Sequence, residues 1–160
     1  MIIKTKLTEK EYLNASLLIV WSRMTVKVFS IVFLFIILSN IFSPLFQGSP
    51  LLPVLIPPII IFGVIYFLFR FSLKRAYKNN NRVNESIEYD FNELSFKIKG
   101  ESFTSELSWN KMYKVTKTKK WLLLWHNAQS ANAILLNKIS TEQLNYLKNI
   151  LQKQNVKNNL

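Results

Sequence analysis

The 160-residue sequence has no cysteine, a single histidine and only three glycines. Without cysteine there is no disulfide, no thiolate nucleophile and no cysteine-based zinc site. With His126 as the one histidine, a histidine-rich metal site is excluded as well. Three glycines leave no glycine-rich loop to cradle phosphates. We therefore expect no enzyme activity, no catalytic residues, no metal and no cofactor.

Acidic residues are also scarce, because nine Asp and Glu stand against 21 Lys and Arg, for a formal net charge of +12. Nearly all of this charge lies outside one long apolar stretch. Membrane lipids are the expected partners, since each cation near an anionic lipid surface contributes about 1 kcal/mol. Nucleic acid is the other usual partner of a basic protein. We rank it far lower, because a membrane anchor restricts access to polymers.

Two apolar segments, residues 26–46 and 51–71, are each long enough to cross a membrane. About 20 residues of helix span roughly 30 Å, which is the thickness of the hydrocarbon layer. The intervening residues 47–50 contain adjacent Gly, Ser and Pro, which predicts a tight turn. Neither segment has a polar face, and a long polar leader precedes the first, which argues against a buried core helix and a signal peptide. The sequence predicts a two-helix transmembrane hairpin.

Positive charge flanks the hairpin on both sides, whereas its loop carries none. By the positive-inside tendency we expect a multi-pass protein of the cell membrane with both termini cytoplasmic. The expected topology determinants are Arg23, Lys27, Arg70, Lys74, Arg75 and Lys78. Within the second segment, Pro57 and Pro58 predict a kink, either a hinge or a tolerated break, and we favour the second because proline is common in membrane helices.

The chain before the hairpin divides into two short elements. Residues 1–7 alternate apolar and polar side chains, which predicts a strand. Residues 8–25 are predicted to form a juxtamembrane helix, because Thr8 and Glu11 have the spacing of a capping box. This helix either lies along the membrane interface with Trp21 at headgroup depth or packs on the soluble domain. The two interpretations are equally favoured.

Residues 85–155 have the period-two pattern of antiparallel strands, followed by a capped helix. Six strands are expected here. The apolar run at residues 121–125 predicts a central strand or one covered on both faces, and residues 154–160 are expected to be frayed. With the strand at residues 1–7 the count is seven, which is the plan of a pleckstrin-homology-like (PH-like) β-barrel closed by a C-terminal helix. The fold class is therefore a membrane α hairpin, inserted after the first strand, plus a soluble α+β domain.

Three stretches of this sequence resemble the YcxB-like family of small bacterial membrane proteins. They are KLTEKEYL at residues 6–13, SWNKMYKV at 108–115 and WLLL at 121–124. The family typically has an Ile-Pro-Lys step before its last helix, where this chain has Leu136, Asn137 and Lys138. The resemblance implies a cytoplasmic PH-like domain on a membrane hairpin and brings no catalytic residues.

Few residues of the soluble part suggest chemistry. Glu88 and Asp90 share one strand face, as an acid–base pair or, as we favour, as solvated residues. His126 is interpreted as structural. The aromatic residues are interpreted as core rather than as a nucleic-acid stacking platform: Trp109, Tyr113, Trp121 and Trp125.

A lysine-rich turn is the best binding candidate, as a site for an anionic headgroup or a partner: Lys117, Lys119 and Lys120. The alternative is a solubilising turn that blocks edge pairing.

The leading hypothesis is a non-enzymatic, membrane-tethered PH-like module with a binding or regulatory role. It would engage a protein, a peptide or a lipid headgroup at the inner membrane face. Two other hypotheses are kept. One is an immunity protein against a membrane-active peptide, and the other is an accessory subunit of a membrane complex.

Overall fold

The computed structural model describes residues 1–47 and 52–160, with side-chain placement for residues 1–39, 42 and 56–160. The predicted turn at residues 47–50 lies, apart from Gln47, outside the described residues.

Helices and antiparallel strands together make this an α+β protein, as predicted. The strands are β1 Ile2–Thr5, β2 Ile87–Phe91, β3 Ser95–Lys99, β4 Thr104–Ser108, β5 Lys114–Lys117, β6 Trp121–Trp125 and β7 Ala131–Leu135. The α-helices are α1 Glu9–Ser22, α2 Met24–Gln47, α3 Leu52–Asn79, α4 Asn81–Asn84 and α5 Thr141–Lys153. Two 3-10 turns occupy Trp109–Lys111 and Leu136–Lys138.

The strands form two antiparallel sheets, sheet A in the order β1-β2-β3-β4 and sheet B in the order β5-β6-β7. Strand β1 pairs with β2, with Ile3 opposite Tyr89, although the whole of α1 to α4 lies between them in sequence. The predicted closed barrel is not formed among the described residues. The 3-10 turn at Trp109 is the reason, because it diverts the chain from β4 into the second sheet, and its indole Nε1 donates to the carbonyl of Asn92 at 2.8 Å.

The main core lies between the two sheets and α5. Both sheets and the helix contribute fully or almost fully buried side chains: Tyr89, Phe91, Phe96, Val115, Leu122, Leu124, Ile134, Leu147 and Leu151. Each such large side chain stabilises the fold by about 1.5–3 kcal/mol when buried. The predicted capped C-terminal helix is confirmed as α5, which buries Leu147, Ile150 and Leu151. In its capping box, Ser140 Oγ accepts from the amide of Gln143 at 3.1 Å.

A second core lies on the outer face of sheet B, where α1 covers it. Ala15 of α1 is buried against Trp121, Trp125 and neighbouring side chains of sheet B. All five residues of β6 are therefore buried, and the predicted central strand is confirmed. Of the two interpretations of α1, the structure shows packing on the domain. The predicted capping box at Thr8 and Glu11 is confirmed.

The prediction of a frayed C-terminus was wrong. Val156 is buried, the amide of Val115 donates to the carbonyl of Lys157 at 2.8 Å, and Val115 forms a parallel bridge with Asn158. Asn159 makes two hydrogen bonds with the backbone of Lys117, at 2.6 and 3.1 Å. The tail is ordered because the outer edge of β5 supplies unpaired backbone groups.

Two large side chains just before strands are exposed, Leu94 and Tyr113, and the core interpretation of Tyr113 was wrong. Leu94 is 78% exposed because it lies in the turn closed by the Asn92 amide and the Ser95 carbonyl, before β3 begins. Tyr113 is 51% exposed, since β5 begins only at Lys114.

The long helices differ at their ends from the predicted segments. Helix α1 ends at Ser22, α2 begins at Met24, and α3 continues to Asn79, about two turns beyond the predicted end at residue 71. Pro57 and Pro58 lie inside α3, which continues through both.

Candidate functional site

Within the part of the chain that the structure describes, one helix is long and apolar enough to cross a membrane, and a bent pair of helices gives a second span if the pair is counted as one. The single helix is the stretch from Ile56 to Asn79 of α3, whose most apolar window is not buried by the rest of the molecule. The bent pair is α1 with the stretch Met24–Ser39 of α2, at 73° to each other. Large apolar surfaces left exposed in this way mark a membrane or protein interface.

The bend between α1 and α2 is a one-residue elbow at Arg23. Its backbone is extended, with φ −73° and ψ 134°, so the helical hydrogen-bond ladder is interrupted there. The Arg23 amide still donates to Val20 at 3.1 Å, and its carbonyl accepts from the amide of Lys27 at 3.2 Å. The Nε atom of Arg23 is buried and has no hydrogen-bond partner among the residues that the structure describes.

An apolar groove of about 590 Å³ opens next to this elbow, between α1, α2 and α3. Its lining includes Leu17 and Trp21 of α1, Phe29 and Phe33 of α2, and Phe62 and Tyr66 of α3. The rings of Phe33 and Phe62 are 4.7 Å apart and join α2 to α3. The lining is almost wholly apolar, and the volume lies in the range of small-molecule sites. Such a groove suits a hydrocarbon ligand.

The charge around the groove is of one sign. The sequence has no Asp or Glu between Glu11 and Glu85, whereas the same stretch has seven Lys and Arg. Arg70 lies beside the groove: its guanidinium donates to the Tyr66 hydroxyl at 3.1 Å. A strong anion beside the groove therefore has to come from outside residues 12–84.

The predicted topology determinants are distributed along these helices. Arg23 and Lys27 lie at the elbow, and Arg75 and Lys78 lie towards the end of α3. Lys74 pairs with Glu9 of α1 at 3.4 Å, and such exposed pairs contribute at most about 1 kcal/mol. Their effect on orientation in a membrane stays a prediction.

The last turns of α3 hold the junction between β1 and α1. The Tyr77 hydroxyl donates to the carbonyl of Leu7 at 2.9 Å, and the Tyr77 ring lies 5.5 Å from that of Tyr12. Asn84 Nδ2 donates to the Tyr77 carbonyl at 2.7 Å. These contacts attach the start of the domain to α3, in addition to the elbow, which joins α1 to α2.

The predicted lysine turn is an exposed hairpin turn between β5 and β6: Lys117, Lys119 and Lys120. The Thr118 amide and the Trp121 carbonyl close it at 2.8 Å. The carbonyl of Lys120 accepts from Leu136 at 3.0 Å, in the 3-10 turn that contacts β1. The lysine turn is therefore linked through this 3-10 turn to β1. Its role in binding stays a prediction.

The other candidates have structural partners. Glu88 pairs with Lys4 at 2.9 Å across the β1–β2 register, and Asp90 pairs with the amino terminus at 3.3 Å. His126 stacks on Phe96 at 6.3 Å. Trp109, Trp121 and Trp125 are buried, which confirms the core interpretation for these three, whereas Tyr113 is exposed. Within residues 1–47 and 52–160, no three His, Asp or Glu side chains are grouped as metal ligands.

Sequence reasoning missed Glu85, a carboxylate that is only 8% exposed. Hydrogen bonds from Ser102, whose amide lies 2.9 Å from Oε2, lower the pKa of Glu85 below its usual value. A Cβ on Gly100 would lie 2.6 Å from the same Oε2. This corner anchors the start of β2 to the β3–β4 turn, and a glycine in that turn was the one available signal.

Comparison with curated proteins and with solved structures finds no match for the chain. A family model described as YcxB-like protein matches residues 91–151, from the last residue of β2 to Leu151 of α5. The match covers most of the two sheets and the helix that closes their core. Residues 91–151 are thus similar to the YcxB-like family, in agreement with the resemblance that the sequence shows.

Proposed function

We propose that this chain is a non-enzymatic binding or regulatory module that is tethered to the cell membrane. Helices α2 and α3 form a multi-pass hairpin, and the YcxB-like domain lies at the inner face with both termini in the cytoplasm. The observation that carries the proposal is the position of α1. One face of this helix packs on sheet B through Ala15, and its end leads through the single residue Arg23 into the apolar helix α2.

The contacts of α3 support the same arrangement. After its apolar part, α3 continues as a basic helix to Asn79 and pairs with α1 through Lys74 and Glu9. Tyr77 then joins it to Leu7. Because the domain is attached at both the elbow and Tyr77, it is held close to the membrane in one orientation. A module built in this way presents a fixed surface to a protein, a peptide or a lipid headgroup.

The domain itself supports a PH-like relationship and a non-catalytic role. Seven strands in two sheets, with a C-terminal helix over the core, follow the PH-like plan even though the sheets do not close. The carboxylates Glu88 and Asp90 are occupied by cross-strand ion pairs, and Glu85 is occupied by Ser102. The non-catalytic role would be overturned if purified protein turned over a nucleotide, phosphoester or peptide and a substitution in the domain abolished that turnover.

The absence of cysteine gives a direct test of the membrane arrangement. Single-cysteine variants Ser49→Cys, in the predicted outer loop, and Ala128→Cys, in the β6–β7 turn, would be exposed to a membrane-impermeant maleimide. We expect labelling of residue 49 in intact cells, and of residue 128 only after the membrane is opened. Labelling of residue 128 in intact cells, or release of the protein by carbonate washing, would contradict the proposal.

A further inference from the structure

We propose that the groove at the elbow binds one anionic phospholipid, with an acyl chain between α1, α2 and α3 and the phosphate on Arg23 and Lys27. This inference rests on the proposed membrane location and adds the ligand and its site. It differs from the headgroup site predicted at the lysine turn, which lies between β5 and β6.

The groove accounts for the hydrocarbon part of the ligand. Its walls are aromatic and aliphatic side chains from three helices, and Tyr66 and Ser30 are among its few polar side chains. The Ser30 hydroxyl already donates to the Val26 carbonyl at 2.8 Å. Filling an apolar groove of that size with water is unfavourable, because its apolar surface is then exposed to water. In a bilayer the available filler is a lipid chain.

Arg23 accounts for the headgroup. Its Nε atom is buried without a hydrogen-bond partner among the described residues, and a buried unpaired donor on a cation is costly. The guanidinium fork matches a phosphate with two hydrogen bonds. Arg23 does not itself line the groove, but it lies in sequence between Trp21 and Val26, which both do. A phosphate at the elbow and a chain in the groove are therefore compatible with one lipid molecule.

The ligand is assigned a negative charge because the surroundings supply none. From residue 12 to residue 84 the chain has no Asp or Glu, and the acidic residue paired with this region, Glu9, lies in the first turn of α1 and contacts Lys74. Exposed Lys27 lies one turn after Arg23. A zwitterionic headgroup would bring a cation to this positively charged site and would therefore bind less tightly.

The test uses full-length protein in lipid nanodiscs that contain a trace of photoactivatable lipid with the reactive group in its acyl chain. Phosphatidylglycerol and phosphatidylcholine probes with the same chains are compared. We expect phosphatidylglycerol to crosslink preferentially to residues 29–33 and 62–66, with about fivefold higher yield, the factor that one cation contributes at an anionic surface.

Matched variants test the headgroup contact and the acyl-chain contact separately. Arg23→Gln should remove most of the preference for phosphatidylglycerol, whereas Lys99→Gln, which removes the same charge from an exposed position on β3, should leave it unchanged. Ser30→Phe should fill the groove and lower the yield of both probes. Ser39→Phe is its control, since Ser39 also donates its hydroxyl to a backbone carbonyl of α2, at 2.8 Å, and does not line the groove.

Equal yields for the two headgroups, or an unchanged preference in Arg23→Gln, would overturn the lipid site. A protein–protein crosslink between two copies through residues 29–33 would overturn it too, because the groove would then hold a second chain. The cysteine-labelling pattern distinguishes failure of the lipid site from failure of the proposed function. Correct labelling without a lipid preference refutes the site alone, whereas reversed labelling refutes the proposed function.

Discussion

The hydroxyl of Tyr77, near the end of α3, donates to the carbonyl of Leu7 at 2.9 Å and joins two parts of the chain 70 residues apart. Leu7 lies between β1 and α1, so this bond attaches the candidate membrane helix to the start of the domain. The elbow at Arg23 attaches the other end of α1 to α2. With both ends of α1 held, the orientation of the domain on the helices is fixed by covalent and tertiary contacts together.

Tyr77→Phe removes this hydrogen bond while it keeps the ring beside Tyr12. Because the Leu7 carbonyl loses its partner, we expect a loss of about 1 kcal/mol in the free energy of unfolding. Denaturant unfolding of the full-length protein in detergent measures it. Tyr113→Phe, at an exposed tyrosine, is the control and should be neutral. Equal effects of the two variants would show that the Tyr77 bond does not contribute.

Ala15→Leu tests the packing of α1 on sheet B. Ala15 is 3% exposed and lies against Trp121 and Trp125, so three added carbons have no space there. We expect a loss of about 1–3 kcal/mol in stability and a change in tryptophan emission. Asn14→Leu adds an apolar side chain at the adjacent exposed position and should be nearly neutral. Tolerance of leucine at residue 15 would mean that α1 does not dock as described.

Asn159→Ala tests the ordered C-terminal tail. The Asn159 side chain accepts from the Lys117 amide and donates to the Lys117 carbonyl, as a strand neighbour would. Losing both bonds at this exposed edge should cost about 1 kcal/mol and speed amide exchange at Lys117. Asn159→Asp keeps the acceptor and loses the donor, and its effect should lie between those of wild type and alanine. Unchanged exchange at Lys117 in both variants would contradict the edge pairing.

Gly100→Ala tests the corner next to Glu85. The new Cβ would collide with the ring of Phe103 and lie 2.6 Å from Oε2 of Glu85. Since the Phe103 ring packs on the main core and the carboxylate is held by Ser102, we expect a loss of about 1–3 kcal/mol. Thermal unfolding measures it. Gly63→Ala is the control, because a Cβ there meets no atom of the described residues within 4 Å.

The Glu85 carboxylate should make the stability of the domain depend on acid pH. Hydrogen bonds from Ser102 lower the pKa of Glu85 below 4.5 in the folded protein, so the folded state favours the ionised form. The resulting stabilisation is present above pH 4.5 and is lost as the pH falls through the lowered pKa.

Glu85→Gln removes this contribution. The variant should be less stable than wild type at neutral pH, and the difference should narrow below about pH 4. Unfolding midpoints between about pH 3 and pH 7 test this, with Glu101→Gln as the control at an exposed carboxylate. A difference that stays constant over this range would contradict the assigned role.

The amino-acid sequence by itself determined the local elements. Both capping boxes, the apolar stripe of α5, the buried strand at residues 121–125 and the long apolar helices follow from side-chain order along the chain. Such patterns can be read because helix and strand periodicities involve neighbours only a few residues apart. The resemblance to the YcxB-like family was visible for the same reason, in short runs of apolar and aromatic residues.

Only the tertiary structure decided which surfaces meet. The sequence predicted a helix at residues 8–25 but left open whether it lies on the membrane interface or on the domain, and the structure places Ala15 against Trp121 and Trp125. The ordered tail depends on the free edge of β5, and the separation into two sheets depends on the turn at Trp109. The groove and the unpaired Nε of Arg23 exist because three helices converge at one elbow. These contacts join residues distant in sequence, where periodicity carries no information about the partner.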